Sequence, residues 1–160
     1  MPKTKRSVRT APASKDAVAL LKADHKQVKE WFAQFESARS AAKKKTLIAN
    51  ICKALTVHCA IEEEIFYPAF LSSAQDKDTH HEAVIEHNGA KTLIADIEAS
   101  DPSDEYFDAK VQVLSEMIKH HVHEEEQPQG MFAEARAAKM DLATLGQRLV
   151  ARKAELMQEG

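Results

Sequence analysis

Two stretches of the chain repeat one spacing of chemically active side chains. His58 and Glu62 stand four residues apart in Thr56-Val57-His58-Cys59-Ala60-Ile61-Glu62-Glu63-Glu64-Ile65-Phe66-Tyr67-Pro68. His121 and Glu125 do the same in His120-His121-Val122-His123-Glu124-Glu125-Glu126. Residues i and i+4 share one helix face, so each pair would present an imidazole beside a carboxylate. Two lone histidines, His25 and His87, fall in other segments with helical patterning. Nitrogen and oxygen donors without thiolate suit iron, manganese or zinc. The chemistry such a set would serve is metal binding at one site between helices.

The elements that must position these residues are legible as apolar stripes. Val18, Leu21, His25, Val28, Phe32 and Phe35 repeat at steps of three and four after a possible cap at Ser14, predicting a first helix to about Arg39. Leu47, Ile51, Leu55, His58, Glu62 and Ile65 mark a second over 41–71, with Pro68 expected to kink or loosen its last turns. His80, Ala83, His87, Ala90, Ile94 and Ile97 mark a third over 79–99. Phe107, Val111, Leu114, Ile118, His121 and Glu125 mark a fourth, capped by Ser103 or Asp104 and ended or distorted by Gln127-Pro128-Gln129-Gly130. Leu142 to Met157 reads as a fifth, shorter amphipathic helix. Short connections favour antiparallel neighbours. The expected fold is all-α: an up-down-up-down four-helix bundle with an additional short C-terminal helix.

In alternating directions, the early histidines of helices one and three meet the late ones of helices two and four at one level. His25, His58, Glu62, His87, His121 and Glu125 then converge on one layer of the core. A buried carboxylate without a partner costs several kcal/mol, and a cation is one of the few things that removes that cost. Two carboxylates shared among four imidazoles can bridge a pair of ions, so carboxylate-bridged di-iron is the natural reading, with zinc and manganese less favoured. Glu63 and Glu64 point away from this face and are expected in solvent. Cys52 and Cys59 are about 10 Å apart along one helix at 1.5 Å per residue, too far for a disulfide, and read as small buried thiols.

The composition sets outer bounds. A chain of 160 residues, 44% hydrophobic and 29% charged, is that of one soluble globular domain. Four glycines, five prolines and 6% aromatics leave little turn chemistry for a hairpin-rich fold. The first 13 residues carry basic side chains, two prolines and no acid, and are expected to be a disordered basic tail ahead of a domain over 14–160. A net charge of -3 argues for neither nucleic acid nor an anionic membrane. With no apolar run of membrane-spanning length and no signal-peptide core, a cytoplasmic protein is expected.

These motifs resemble the hemerythrin-like proteins of the HHE cation-binding family. The resemblance rests on Lys22-Ala23-Asp24-His25, on His58 to Glu62 with Glu-Glu-Ile-Phe-Tyr-Pro after it, on Glu86-His87 with Ala90-Lys91, and on the run from His120 to Glu126. It covers about residues 15 to 158. It implies a di-iron site, oxo- or hydroxo-bridged, with His25, His58, His87 and His121 as terminal ligands and Glu62 and Glu125 as bridging carboxylates. It also implies a small-molecule oxidant as partner, whether hydrogen peroxide, dioxygen or nitric oxide, with catalase-like turnover as a possible activity. The alternative is a non-catalytic iron or oxygen sensor or metal-binding module.

Two departures from the family pattern matter. The oxygen carriers place an HxxxH pair on helix three, and here the position four before His87 is Ala83. Their last motif has an aspartate one residue beyond the place of Glu125. One iron should therefore lack a histidine. Tyr67, half a turn from the His58 face on a straight helix, is disfavoured as a replacement, as are His80, His81, His120 and His123. Phe66, Val84 and Ile118 are the expected walls of an open position.

Overall fold

The computed structural model describes residues 16–159; the expected basic tail and the Ser14 cap lie outside them. Helix α1 spans Ala17–Ser37, opened by the Asp16 carboxylate, which accepts the Ala19 N–H at 2.8 Å. Ser40 caps α2, Ala41–Ile61, through the Lys43 N–H. The chain continues through a π-helical turn, Glu62–Phe66, into α3, Tyr67–Ala74, which stops where Gln75 turns left-handed at φ 57°. Asp76 caps α4, Lys77–Glu98, through the Thr79 N–H and hydroxyl. Helix α5 is Phe107–Glu126, α6 is Met131–Ala137, and α7 is Leu142–Gln158, capped by Asp141.

Helices α1, α2 with α3, α4 and α5 form the four-helix bundle. Each packs on its neighbour in chain order, and α5 returns against α1. Helix α7 lies across α1, α2 and the π turn, and α6 packs on α5 and α3. The fold is the expected one, with two corrections. Ser103 and Asp104 do not cap α5: they fold a turn with Asp101, and the helix starts at Phe107 without a side-chain cap. The seven residues of α6, too few to show a helical period, fill what the sequence presents as a connection.

The core is divided. One apolar cluster joins Val18, Leu21, Phe66, Phe70, Met131, Phe132 and Leu149. The other joins Val28, Phe32, Phe35, Ile51, Leu55, Ile94, Phe107 and Leu114. On α1, α2 and α4 the histidine sits in sequence between the residues given to the two clusters. The buried histidines and glutamates therefore form one layer with apolar packing on both sides.

Candidate metal centre

All six residues singled out by spacing are buried: His25, His58, Glu62, His87, His121 and Glu125. Their metal-facing atoms come together. His58 Nε2 lies 2.7 Å from Glu62 Oε1, and His121 Nε2 lies 2.7 Å from Glu125 Oε1. His25 Nε2 is 3.1 Å from His58 Nε2 and 3.4 Å from Glu125 Oε2. His87 Nε2 is 3.2 Å from His121 Nε2 and 3.4 Å from Glu62 Oε1. Two overlapping groups result, His25–His58–Glu125 and Glu62–His87–His121–Glu125. Glu125 belongs to both, and Glu62 touches a histidine of each, so the carboxylates lie between the two.

The other nitrogen of every imidazole meets a carboxylate from the adjacent helix. His58 Nδ1 is 3.0 Å from Asp24, His87 Nδ1 is 3.1 Å from Glu63, His121 Nδ1 is 2.9 Å from Glu86, and His25 Nδ1 is 2.9 Å from Glu126. The bonds run α1 to α2, the π turn to α4, α4 to α5, and α5 back to α1, a closed ring around the bundle. Burial alone would raise the Asp24 carboxyl, but the bond from His58 and the Lys153 ammonium hold it below the usual carboxylate range. Bonds from His121 and His25 do the same for Glu86 and Glu126. Ionised carboxylates only accept, so each Nδ1 donates its hydrogen outward, and an Nε2 that gives up its proton to a cation turns its lone pair inward. Glu63 is thus a correction: expected in solvent, it accepts from His87 and from Lys91. Glu64, expected in solvent, is exposed and pairs with Arg152.

The centre needs positive charge. Among the described residues, Glu62 Oε1, Glu62 Oε2 and Glu125 Oε2 are buried without a hydrogen-bond partner. The 2.7 Å approach of Glu62 Oε1 to His58 Nε2 has a hydrogen bond's length without its geometry, which fits two lone pairs aimed at a common point. Burial alone would lower the pKa of His58 and His121. The charges of Glu62 and Glu125, with the outer carboxylates, raise them to about 10 and about 11 instead. Glu62, which burial would raise, is pulled well below the carboxylate range by His58 and His87. Protons are one source of that charge, but they leave the orphaned oxygens and the close Nε2 contacts unexplained. A cation at each group satisfies all of them, so the residues fit a metal.

Tyr67 is the residue that sequence reasoning set aside and the structure brings in. Its hydroxyl donates to Glu125 Oε1 at 2.7 Å and lies 3.0 Å from His87 Nε2 and 3.2 Å from His121 Nε2. On a straight helix it would sit about 140° round from Glu62 at 100° per residue. The π turn brings it back over Glu62, since its N–H bonds the Glu62 carbonyl five residues earlier. Pro68 has no N–H for the carbonyl four residues before it, so the distortion expected there is the signal that could have placed Tyr67. Burial, then the charges of Glu62 and Glu125, raise its pKa well above the usual phenol, so the hydroxyl is protonated in the metal-free protein.

The remaining histidines stay out. His81, His120 and His123 are exposed, and His120 pairs with Glu86. His80 is half-buried, edge-on to Tyr67 at 6.1 Å. Cys52 and Cys59 are buried free thiols, and burial pushes Cys52 up to about 12. Beside the imidazoles lies a void of about 20 Å³, bounded by His25, His58, His87 and His121 and by Leu55, Met117, Ile118 and Val122. That is room for about one water-sized molecule. Ile118 lines it as expected; Phe66 and Val84 do not, being packed in the apolar cluster on the other side of the layer.

A curated relative from Nostoc sp., named a DNA nickase, is 31% identical over 107 residues; the match covers 67% of this chain, and the chain spans 30% of that relative's length. A crystal structure of a hemerythrin HHE cation binding domain-containing protein from Mycobacterium kansasii superposes with a TM-score of 0.73 at 22% identity, covering 89% of this chain and 87% of that one. The family model described as the hemerythrin HHE cation binding domain matches residues 16–133. With well over half of its length matched and the His–Glu clusters buried together, the chain belongs to the hemerythrin HHE cation-binding domain family and is a metal-binding helical module.

Proposed function

We propose that this domain holds two iron ions and reacts with a small oxidant, hydrogen peroxide foremost. The observation that carries the reading is the pairing of two adjacent carboxylate–imidazole groups with a void the size of one small molecule against them. His25, His58 and Glu125 would hold one ion, and Glu62, His87, His121 and Glu125 the other, with Tyr67 standing where the family's extra histidine is missing. When bound, the iron pair supplies the electron exchange by which two peroxides become two waters and one dioxygen.

The chain's own residues orient the donors and choose what enters. The Nδ1 bonds fix each ring with Nε2 inward. Leu55, Met117, Ile118 and Val122 give the void apolar walls that admit a small neutral molecule and exclude large ions. In the metal-free protein Tyr67 donates its hydroxyl hydrogen to Glu125 Oε1, and its oxygen is the donor offered to the ion of the Glu62, His87 and His121 group.

The test is metal content after anaerobic reconstitution with ferrous iron, then peroxide consumption followed by oxygen release. About two irons per chain and many peroxides consumed per iron support the reading. Stable iron with consumption that stops at one equivalent leaves a sensor or metal-binding module. Failure to retain iron overturns the di-iron assignment itself.

A further inference from the structure

Helices α4 and α5 approach each other closely beside the imidazole layer. Gly89 on α4 is exposed, and a Cβ there would stand 3.2 Å from the terminal methyl of Met117 on α5. The half-buried Met117 side chain therefore reaches across to α4, where it packs against the apolar cluster that holds Ile94 and Leu114. It also lines the void of about 20 Å³ bounded by His25, His58, His87 and His121. A thioether thus stands in the wall of a space sized for one small molecule. Cys59 lines the same void, but a thiol reacts as the thiolate, and burial to 3% exposure opposes that ionisation. A thioether has no proton to lose before it reacts. The other methionines among the described residues stand elsewhere. Met131 is buried in the apolar cluster on the opposite side of the layer, Met140 packs against that cluster, and Met157 is 47% exposed near the end of α7.

We propose that Met117 is a modification site: hydrogen peroxide that enters the void oxidises its thioether to the sulfoxide, and the added oxygen takes up the room that the next oxidant needs. The sulfur lone pair attacks one peroxide oxygen as the O–O bond breaks. Sulfur is oxidised by two electrons and peroxide is reduced by two. The departing hydroxide takes the proton of the transferred oxygen and leaves as water. The unbranched methionine side chain, with three rotatable bonds, lets the sulfur turn toward the void. Oxidation makes that side chain polar, so a wall that admits a small neutral molecule becomes a filled, hydrogen-bond-accepting one. The centre then closes itself when peroxide is in excess. The inference rests on the reading that peroxide reaches this void.

Successive small doses of hydrogen peroxide to the iron-loaded full chain, followed by peptide mass spectrometry, test it. The ratio of Met117 sulfoxide to Met157 sulfoxide should be at least about tenfold higher than in the metal-free chain, because an oxidant held at the centre stands against one thioether and not the other. Peroxide consumption should fall in step with the fraction of Met117 that has gained an oxygen. Met117→Leu, which keeps the volume and removes the sulfur, should go on consuming peroxide after doses that silence the wild type. The wild-type correlation needs no variant, so it decides the matter if Met117→Leu does not load iron. Oxidation of Met157 ahead of Met117 in protein that consumes peroxide overturns the proposal and leaves the di-iron reading standing. So does oxidation of Cys59 in place of Met117, or undiminished consumption when Met117 is fully oxidised. Protein that retains no iron, or retains it without consuming peroxide, fails the reading itself, and the inference falls with it.

Discussion

The phenol of Tyr67 separates a centre made only of imidazoles and carboxylates from one with a third kind of donor. Its hydroxyl lies within hydrogen-bond distance of His87, His121 and Glu125 at once, and a ferric ion held by His87, His121 and Glu62 would meet that oxygen. Tyr67→Phe keeps the ring that packs against Phe66 and removes the oxygen alone. The iron-loaded variant should keep its metal and lose the visible charge-transfer band of an iron-bound phenolate, read by absorption spectroscopy. An unchanged spectrum would place the phenol outside the coordination sphere. In the metal-free protein the same change leaves Glu125 Oε1 without its donor, a cost of about 1–3 kcal/mol read as a lower melting temperature.

At the scale of elements, the outer carboxylates join each helix to the next through an imidazole, so the centre's geometry and the bundle's packing are set together. Asp24→Asn and Glu86→Gln preserve shape and remove the charge that fixes the Nδ1 hydrogen. Each should weaken metal binding by about 10- to 100-fold in competition with a chelator of known affinity, and an affinity within twofold of wild type would reduce the ring to packing. The turn after α5 bears on the same geometry. A Cβ at Gly130 would stand 2.4 Å from the Glu124 carbonyl and 2.8 Å from that of Glu125, and both atoms are backbone, so nothing can rotate away. Gly130→Ala should cost about 1–3 kcal/mol by thermal melting and lower metal content by displacing Glu125. What could be read from the sequence follows from period. His58 with Glu62 and His121 with Glu125 show because regular helices put i and i+4 on one face. Tyr67 does not, because five residues of π helix break the count, and Glu63 does not, because its partner His87 is on another helix.

For the molecule as a whole, metal and fold stability must be coupled, because the polar layer divides the core. A layer of apolar side chains there would stabilise the bundle by itself. Instead Glu62 and Glu125 are fully buried with oxygens that no described residue satisfies. Loading with metal should therefore raise the melting temperature, by an amount equal to about 2.7 kcal/mol when free metal is a hundred times its dissociation constant. Chelation should reverse the shift. Helix α7 should share in it, since Lys153 braces the Asp24 that holds His58, and Arg152 holds Glu64 in the π turn. The decisive comparison is Glu62→Gln. The amide cannot serve as an anionic bridge, so metal should no longer raise the melting temperature. Removing a buried charge should meanwhile leave the metal-free variant as stable as metal-free wild type, or more so. A variant that melts far below metal-free wild type would mean that Glu62 supports the bundle through proton-mediated pairing with His58, and that the divided core is stable without a cation.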